Sequence, residues 1–236
     1  LSLVSGKTAF IAFVSAGGGI GASTIACAAA KAFSHSEEVL YLNLEDLGTC
    51  RLSFAGEDKS GLDELVYAIK SRRKTLELKI ESSVSRDGQG TYYFKECANP
   101  MDLRSLSAED VRELLRAIEA AGVYDKVIID LGNGLQDKEL MVMTMVNRVI
   151  MITDQSEIAA LKLERYLKFV QTIEEIRKID IISKMQIYFN RIIKGMQLPE
   201  HIFHIRVGGA FPLIENGNYA GIIEKIAQME LLQSIE

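Results

Sequence analysis

Cysteine and histidine are scarce in this sequence, and neither is spaced to hold a metal. The 236 residues include three cysteines and three histidines. No CxxC pair, HExxH motif or Ser-His-Asp context surrounds them, so we expect no metal site built on these side chains. The odd number of cysteines favours reduced thiols in a cytoplasmic protein. We assign all six residues to structural or surface positions: Cys27, Cys50, Cys97, His35, His201 and His204.

The sequence also lacks a long apolar run. Hydrophobic residues make up 48% of the chain and charged residues 25%, as in ordinary globular proteins. No run approaches the roughly 20 apolar residues that span a bilayer, so we predict no transmembrane helix. The chain starts with LSLVSGK, without a methionine or a basic-then-apolar leader. We expect residues 1–236 to form a single domain, the C-terminal part of a longer chain.

Positive charge is in deficit, which limits the partners that the chain can have. Lysine and arginine number 27 against 32 acidic residues, giving a net charge of −5. Sequence-independent DNA binding needs clustered cations, so we expect no specific nucleic-acid partner. The one basic cluster, at positions 70 and 72–74, has the composition of a solvated helix end. Residues 221–236 carry more acids than lysines, unlike a helix that binds an anionic membrane surface.

What the chain does have is a glycine-rich loop at residues 14–24 (VSAGGGIGAST). The preceding residues 8–14 (TAFIAFV) are typical of a buried strand, and residues 23–33 (STIACAAAKAF) have the alanine content of a helix. Glycine lets the backbone turn its N–H groups toward one point, and the helix N-terminus adds partial positive charge there. We therefore predict a phosphate-binding loop. A tight turn without a ligand is the alternative.

The loop resembles a known phosphate-binding motif, position for position. Residues 17–24 match the deviant P-loop KGGxGK[ST][ST] of the MinD/ParA superfamily, but Gly17 and Ala22 stand where that motif has lysines. The glycines without these lysines are similar to the TadZ/CpaE branch of pilus-assembly proteins. The resemblance implies an α/β, doubly wound, mostly parallel sheet of about seven or eight strands flanked by helices. It implies that ATP binds at Gly17, Gly18, Gly19, Ile20, Gly21, Ala22, Ser23 and Thr24, with Mg²⁺ on the Ser23 hydroxyl.

Two further apolar runs are followed by, or contain, acids that we expect at the same sheet edge as the loop. Residues 39–44 (VLYLNL) precede Glu45 and Asp46, and residues 124–131 (YDKVIIDL) contain Asp130. In the resembled superfamily, acids in these places lie near magnesium and the attacking water. We therefore assign Glu45 and Asp130 as candidate catalytic and magnesium-binding residues, acting directly or through water, with Asp46 as a substitute for Glu45. A polar loop or a turn residue is the alternative for each.

The last motif of this kind is a strand that ends in asparagine. Residues 186–190 (QIYFN) and Arg191 resemble the strand-Asn-Arg motif of the superfamily, whose asparagine contacts adenine. A carboxamide both donates and accepts hydrogen bonds, as recognition of the adenine edge requires. We assign Asn190 and Arg191 to the adenine side of the site, with Phe211 and Pro212 from the loop that the resemblance places beside the base. A turn is the alternative for Asn190.

The remaining pattern alternates helices and strands, as expected for this class of sheet. Residues 62, 65, 66 and 69 form the apolar face of a helix predicted at 61–73, and Ser107 with Asp110 predicts a capping box. Residues 82–90 predict a loop or a hairpin. Further helices are predicted at 137–146, 156–177 and 219–232, and strands at 91–94, 148–153 and 201–212.

Three functions compete for such a chain. The resemblance implies a homodimeric, ATP-binding scaffold or localisation factor for a Tad or type IV-like pilus or secretion machine, at the cell pole or on the inner membrane face. The alternatives are an active ATPase or tyrosine kinase, and a MinD/ParA-type ATPase in DNA partitioning or septum-site positioning. Losing one lysine weakens nucleotide binding by about 10- to 150-fold. Losing one charge-stabilising donor costs about 100- to 1000-fold in rate, so we expect binding with weak or no hydrolysis.

Overall fold

The computed structural model describes residues 8–56, 59, 61–72, 76–193, 195 and 197–235. Its strands are β1 (Ala9–Ser15), β2 (Val39–Asn43), β3 (Ser85–Arg86), β4 (Tyr92–Tyr93), β5 (Lys126–Asp130), β6 (Arg148–Thr153), β7 (Met185–Ile192), β8 (His201–Ile202) and β9 (Ile205–Pro212). They form one nine-stranded sheet in the order β3-β4-β2-β5-β1-β6-β7-β9-β8.

The sheet is parallel except at its two edges. From β4 through β2, β5, β1, β6 and β7 to β9, each strand pairs with its neighbour in parallel. The edge strands β3 and β8 are two residues long and pair antiparallel with β4 and β9. The predicted doubly wound, mostly parallel sheet is therefore confirmed, and the count exceeds the expected seven or eight because of these short edge strands.

Helices cover both faces of this sheet. They are α1 (Ala22–Phe33), α2 (Leu62–Lys70), α3 (Leu76–Ser83), α4 (Pro100–Arg104), α5 (Ala108–Ala121), α6 (Asp137–Met145), α7 (Glu157–Arg177) and α8 (Tyr219–Ala227), with 3-10 turns at Cys50–Leu52, Ile182–Lys184 and Glu230–Ile235. None of the described helices is both long and apolar enough to cross a lipid bilayer.

The strand sequences explain why the sheet is covered on both sides. In β1, Phe10 and Ala12 pack into one core, whereas Ile11 and Phe13 pack into the other. Side chains alternate between the faces of a strand, so a strand that is apolar at every position is buried on both faces. The alanines of α1 carry little side-chain bulk, and this allows α1 to lie close to the sheet, with α8 beside it.

Several boundaries differ from the sequence prediction. The run at 201–212 is a hairpin rather than one strand, because Phe203 and His204 adopt positive φ angles of 49° and 67° between β8 and β9. The helix predicted at 219–232 stops at Ala227 and continues after a break as a 3-10 turn. Helices α3 and α4 were not predicted. Residues 82–90 comprise the end of α3, strand β3 and the turn that leads to β4, so they form part of the β3–β4 hairpin.

Other local predictions agree with the structure. Ser107 accepts a hydrogen bond from the Asp110 N–H while the Asp110 carboxylate accepts one from the Ser107 N–H, so α5 has the predicted capping box. Lys70, in the last turn of α2, pairs with Asp110 at 2.7 Å. The predicted basic cluster therefore begins at a helix end, although its residues 73 and 74 lie outside the described residues.

Candidate functional site

The glycine loop lies at the carboxyl edge of the parallel strands, where it forms one wall of a cavity of about 370 Å³. The loops after β2 and β5 and one residue of β7 complete the lining. The lining residues are Ser15, Gly18, Gly19, Ile20, Gly21, Ala22, Ser23 and Thr24 from the β1–α1 connection, Glu45, Leu47 and Thr49 after β2, Gly132 and Asn133 after β5, and Arg191 in β7. The sheet topology thus brings the glycine loop, Glu45 and Arg191 together, as parallel α/β sheets do at this edge.

Gly21 sets the start of α1. It has a left-handed backbone with φ of 99°, and a Cβ at this position would collide with the Asn190 carboxamide nitrogen, so glycine is required on both counts. Among the described residues, no side chain caps the helix at Gly21. The first-turn N–H groups of α1 therefore remain available to an anion in the cavity, and the helix dipole favours negative charge there.

Asn190 is held against the loop rather than exposed in the cavity. Its Nδ2 donates to the carbonyl oxygen of Ile20 at 2.7 Å, and its Oδ1 accepts from the backbone N–H of Arg191 at 2.9 Å. The side chain is buried, with 5% of its surface exposed. The adenine contact predicted for Asn190 thus competes with a structural role that the structure does display, which is to fix the glycine loop to β7.

Arg191 presents the cavity with a cation outside the loop. Its backbone has φ of 58°, a left-handed conformation that is uncommon for a residue with a side chain. The Asn190 hydrogen bond to its N–H holds that conformation in place. Its side chain is exposed and lines the cavity. Gly17 and Ala22 contribute no charge, and among the described residues of the lining Arg191 is the one cation.

Ser23, Glu45 and Asp130 converge beside the loop, as the sequence predicts. The Ser23 hydroxyl lies 3.5 Å from Glu45 Oε2. Asp130, at the end of β5, is fully buried beneath them and accepts hydrogen bonds from the Tyr41 hydroxyl at 2.8 Å and from the Gly132 N–H at 3.2 Å. Tyr41 had no predicted role, and it was missed because no local pattern links it to a residue 89 positions away.

Both carboxylates are less acidic than usual. Burial, and then the nearby Asp130 charge, raise the pKa of Glu45, while the Ser23 hydroxyl opposes this shift. Burial raises the pKa of Asp130, against hydrogen bonds from Ser23, Tyr41 and Gly132 that lower it. A cation between these groups would relieve both penalties, so the hydroxyl and the carboxylates fit a magnesium ion.

The donor set has the limited size that magnesium uses when phosphates supply the other ligands. Within the described residues, no three His, Cys, Asp or Glu side chains are grouped to hold a metal by themselves. Asp46, the predicted substitute for Glu45, is paired with Lys138 at 2.7 Å and is therefore engaged elsewhere. Asn43 accepts a hydrogen bond from the Glu45 N–H at 2.8 Å, which orients the start of the loop that carries Glu45.

Phe211 and Pro212 lie at the end of β9, outside the lining of this cavity. The Phe211 side chain is fully buried in the core, with its ring centroid 6.1 Å from that of Tyr188. Only its backbone is left to flank a base. The predicted placement of these two residues beside adenine therefore stays a prediction.

Comparison with known proteins gives structural neighbours only. No protein-family model matches the chain, and no curated protein matches it. A ParA family ATPase from Chlorobium tepidum TLS is 20% identical over 93% of this chain and 98% of that chain, with a TM-score of 0.73. MinD in the MinC:MinD cell division protein complex of Aquifex aeolicus is 13% identical over 96% and 93%, with a TM-score of 0.64.

A third structural neighbour was solved with ligands bound. Cobyrinic acid a,c-diamide synthase from Mycobacterium smegmatis, with bound ATP analog and magnesium, is 15% identical over 93% of this chain and 92% of that chain, with a TM-score of 0.61. Identities of 20% and below bear on the fold and not on activity. By this measure, the chain has the α/β fold of the ParA- and MinD-type P-loop ATPases.

Proposed function

We propose that this chain is an ATP-binding, dimerising scaffold or localisation factor for a Tad or type IV-like pilus or secretion machine, with weak or no ATP hydrolysis. One observation carries the proposal: the loop keeps its glycines, its serine and the nearby carboxylates, but has no lysine. Backbone N–H groups can hold phosphates without these lysines. Besides magnesium, transfer of a phosphoryl group needs side-chain cations that neutralise the developing charge, and the loop supplies none.

Nucleotide binding is proposed to use the main chain of the loop. The phosphates would rest on the N–H groups of residues 18–24, and the Ser23 hydroxyl, with Glu45 and Asp130, would hold Mg²⁺ directly or through water. Bound magnesium would supply positive charge to the phosphates. The Mycobacterium smegmatis neighbour, which has a bound ATP analog and magnesium, supports this choice of ligands.

Titration calorimetry with ATP tests the binding proposal. We expect the folded parent to bind ATP at millimolar concentration or below in the presence of Mg²⁺. Ser23→Ala should remove most of the magnesium-dependent part of the affinity. Ser36→Ala, in the exposed turn beyond the other end of α1, is the matched control and should bind as the parent does. No heat of binding with folded parent would refute the proposal.

Phosphate release separates a scaffold from an enzyme. We expect the parent to turn over far below about 1 s⁻¹, because a missing charge-stabilising donor costs about 100- to 1000-fold. Ala22→Lys, which places a lysine in the cavity lining, should tighten ATP binding and raise turnover. A parent that hydrolyses ATP at about 1 s⁻¹ or faster would overturn the scaffold proposal. It would favour the alternative, an active ParA/MinD-type ATPase in partitioning or septum-site positioning.

Dimerisation is proposed to occur across the face that contains the cavity. Exposed apolar side chains follow the carboxyl ends of four parallel strands, at the edge of the sheet that holds the cavity. We call them the apolar rim, and such a surface suits a two-fold contact in which the same patch meets its copy. These side chains are Leu47, Ile158, Leu161, Ile193 and Leu213. A location at the cell pole or on the inner membrane face would follow from the partner machine rather than from the chain itself.

A further inference from the structure

Lys162, in the second turn of α7, lies against the first glycine of the loop. A Cβ built on Gly17 would be 3.1 Å from Lys162 Cδ and 3.3 Å from Lys162 Nζ. Few real Cβ atoms have neighbours so close, so a side chain at position 17 would displace the Lys162 side chain by a few tenths of an ångström. Glycine at position 17 leaves room for the Lys162 side chain where it now lies.

The Lys162 ammonium has no anionic partner within the described part of the chain. Other lysines of the molecule differ: Lys138 pairs with Asp46 at 2.7 Å and Lys168 pairs with Glu164 at 2.7 Å. An ammonium carries three donors on a flexible stem, and here they stay free beside the loop. Lys162 is also exposed, so an arriving ligand can reach it.

The charge balance of the cavity calls for such a cation. Glu45 and Asp130 contribute negative charge on one side and Arg191 contributes one positive charge, whereas a nucleotide would add several negative charges through its phosphates. Gly18, next in sequence to Gly17, lines the cavity, so the free ammonium lies one residue away from the phosphate-binding wall. Opposite charge at this distance favours phosphate binding.

We propose that Lys162 is a phosphate-binding residue of the nucleotide site, supplying from α7 the positive charge that position 17 lacks. The inference rests on the proposed nucleotide binding and adds the source of its charge. Gly17 and Lys162 are then complementary: the absence of a side chain at position 17 leaves space beside the loop, and the Lys162 ammonium occupies that space. The ligand chemistry is the polyphosphate of ATP bound in the same cavity.

Paired substitutions distinguish the charge of Lys162 from its packing, with the affinity for ATP in the presence of Mg²⁺ measured by calorimetry. Lys162→Met keeps the apolar stem and removes the charge. We expect the affinity for ATP to fall by about 5- to 10-fold, a loss larger than that of an exposed ion pair and smaller than that of a strong charge-assisted hydrogen bond. Lys162→Arg should stay within about 2-fold of the parent because it keeps the charge. Lys168→Met, on the same helix but paired with Glu164, is the matched control and should bind as the parent does.

A double-mutant cycle tests the complementarity of Gly17 and Lys162. Gly17→Lys should restore about 5-fold in the Lys162→Met background but change the parent by less than about 2-fold, because two ammonium groups cannot share the space. Melting temperatures of all variants establish that they fold. Lys162→Met with parent affinity, an equal loss in Lys168→Met, or equal effects of Gly17→Lys in both backgrounds would each overturn the inference. A folded parent that binds no ATP would defeat the proposed function as well, whereas the other failures leave it standing.

Discussion

Asp130 is a carboxylate with both oxygens bonded from within the protein. The Tyr41 hydroxyl donates to one oxygen and the Gly132 N–H to the other. Such a residue is fixed in orientation, and a ligand would meet it most readily through a water molecule. Glu45 is only half buried and has the weak Ser23 contact at 3.5 Å, so it has more freedom to take a metal ion directly.

Glu45→Gln should therefore separate stability from magnesium binding. Because the pKa of Glu45 is raised in the folded state, Glu45 stays protonated at pH values above 4.5 at which it is already ionised in the unfolded chain. The free energy of unfolding of the parent therefore falls as the pH rises above 4.5. We expect Glu45→Gln to gain stability relative to the parent as the pH rises above 4.5, and to lose magnesium-dependent ATP binding.

Urea unfolding at pH 4.5 and at neutral pH, with and without Mg²⁺ and ATP, measures the difference in stability between Glu45→Gln and the parent. Glu113→Gln, an exposed substitution on α5, is the control and should stay within about 0.5 kcal/mol of the parent at each pH. A constant difference between Glu45→Gln and the parent across the pH range would contradict the prediction.

Asn190→Ala distinguishes the loop anchor from the adenine contact. If Asn190 chiefly fixes Ile20, as its 2.7 Å hydrogen bond indicates, its loss should weaken ATP and GTP binding alike. If it recognises adenine, the preference of the parent for ATP over GTP should narrow by about 1 to 3 kcal/mol. We expect the parallel loss, measured by calorimetry with both nucleotides. A narrowed gap with unchanged GTP affinity would restore the adenine assignment.

The residues of the site were predictable to different degrees. Local sequence patterns identify the glycine loop at residues 17–24 and the acids at the strand ends, and the fold brings them together. Contacts of Asn190 with Ile20 and of Lys162 with Gly17 join distant parts of the chain through side-chain geometry. No periodicity or spacing in the sequence encodes them, so they could only be read from the folded structure.

At the scale of elements, a buried lysine ties three segments together. Lys31 in α1 pairs with Glu224 of α8 at 2.8 Å and lies 3.8 Å from Asp87 in the β3–β4 turn. The Lys31 and Asp87 side chains are 9% and 4% exposed. Gln89 adds a carboxamide oxygen at 3.4 Å. The hairpin at one edge of the sheet is thereby fastened to the helix layer that carries the glycine loop.

Lys31→Ala should destabilise the fold by about 3 kcal/mol, because it leaves the Asp87 carboxylate buried without its cation. Lys168→Ala breaks the exposed ion pair with Glu164 and should cost less than about 0.5 kcal/mol. Denaturant unfolding measures both variants. Similar small losses in the two would show that the buried pair does not fasten the hairpin.

The elements that escaped prediction share weak local signals. Helix α3 buries only Leu76, Ile80 and Ser83, too few positions for a clear helical period. Asn99 and Pro100 are typical of a helix N-terminus, but α4 has only five residues, too few to show a helical period. The strongly apolar strands were placed closely, and β6 matches its predicted bounds, because burial on both faces leaves a continuous apolar run.

At the scale of the whole molecule, the apolar rim carries the dimer proposal. Ile158→Asp places a charge on the rim at the start of α7, where the side chain is 69% exposed. Ile176→Asp, at the other end of the same helix and 70% exposed, is the matched control. We expect light scattering with ATP and Mg²⁺ to report a dimer for the parent and the control, and a monomer for Ile158→Asp. A parent that stays monomeric with and without nucleotide refutes the dimer.

The short antiparallel strands at both edges of the sheet have a consequence for assembly. An open sheet can be extended by the backbone of another chain, but β3 and β8 each offer only two residues for such pairing. Such short edge strands disfavour growth by strand addition, and the proposed two-fold contact at the cavity face would close on itself. A machine that uses this chain would therefore bind discrete dimers, and not a filament of arbitrary length.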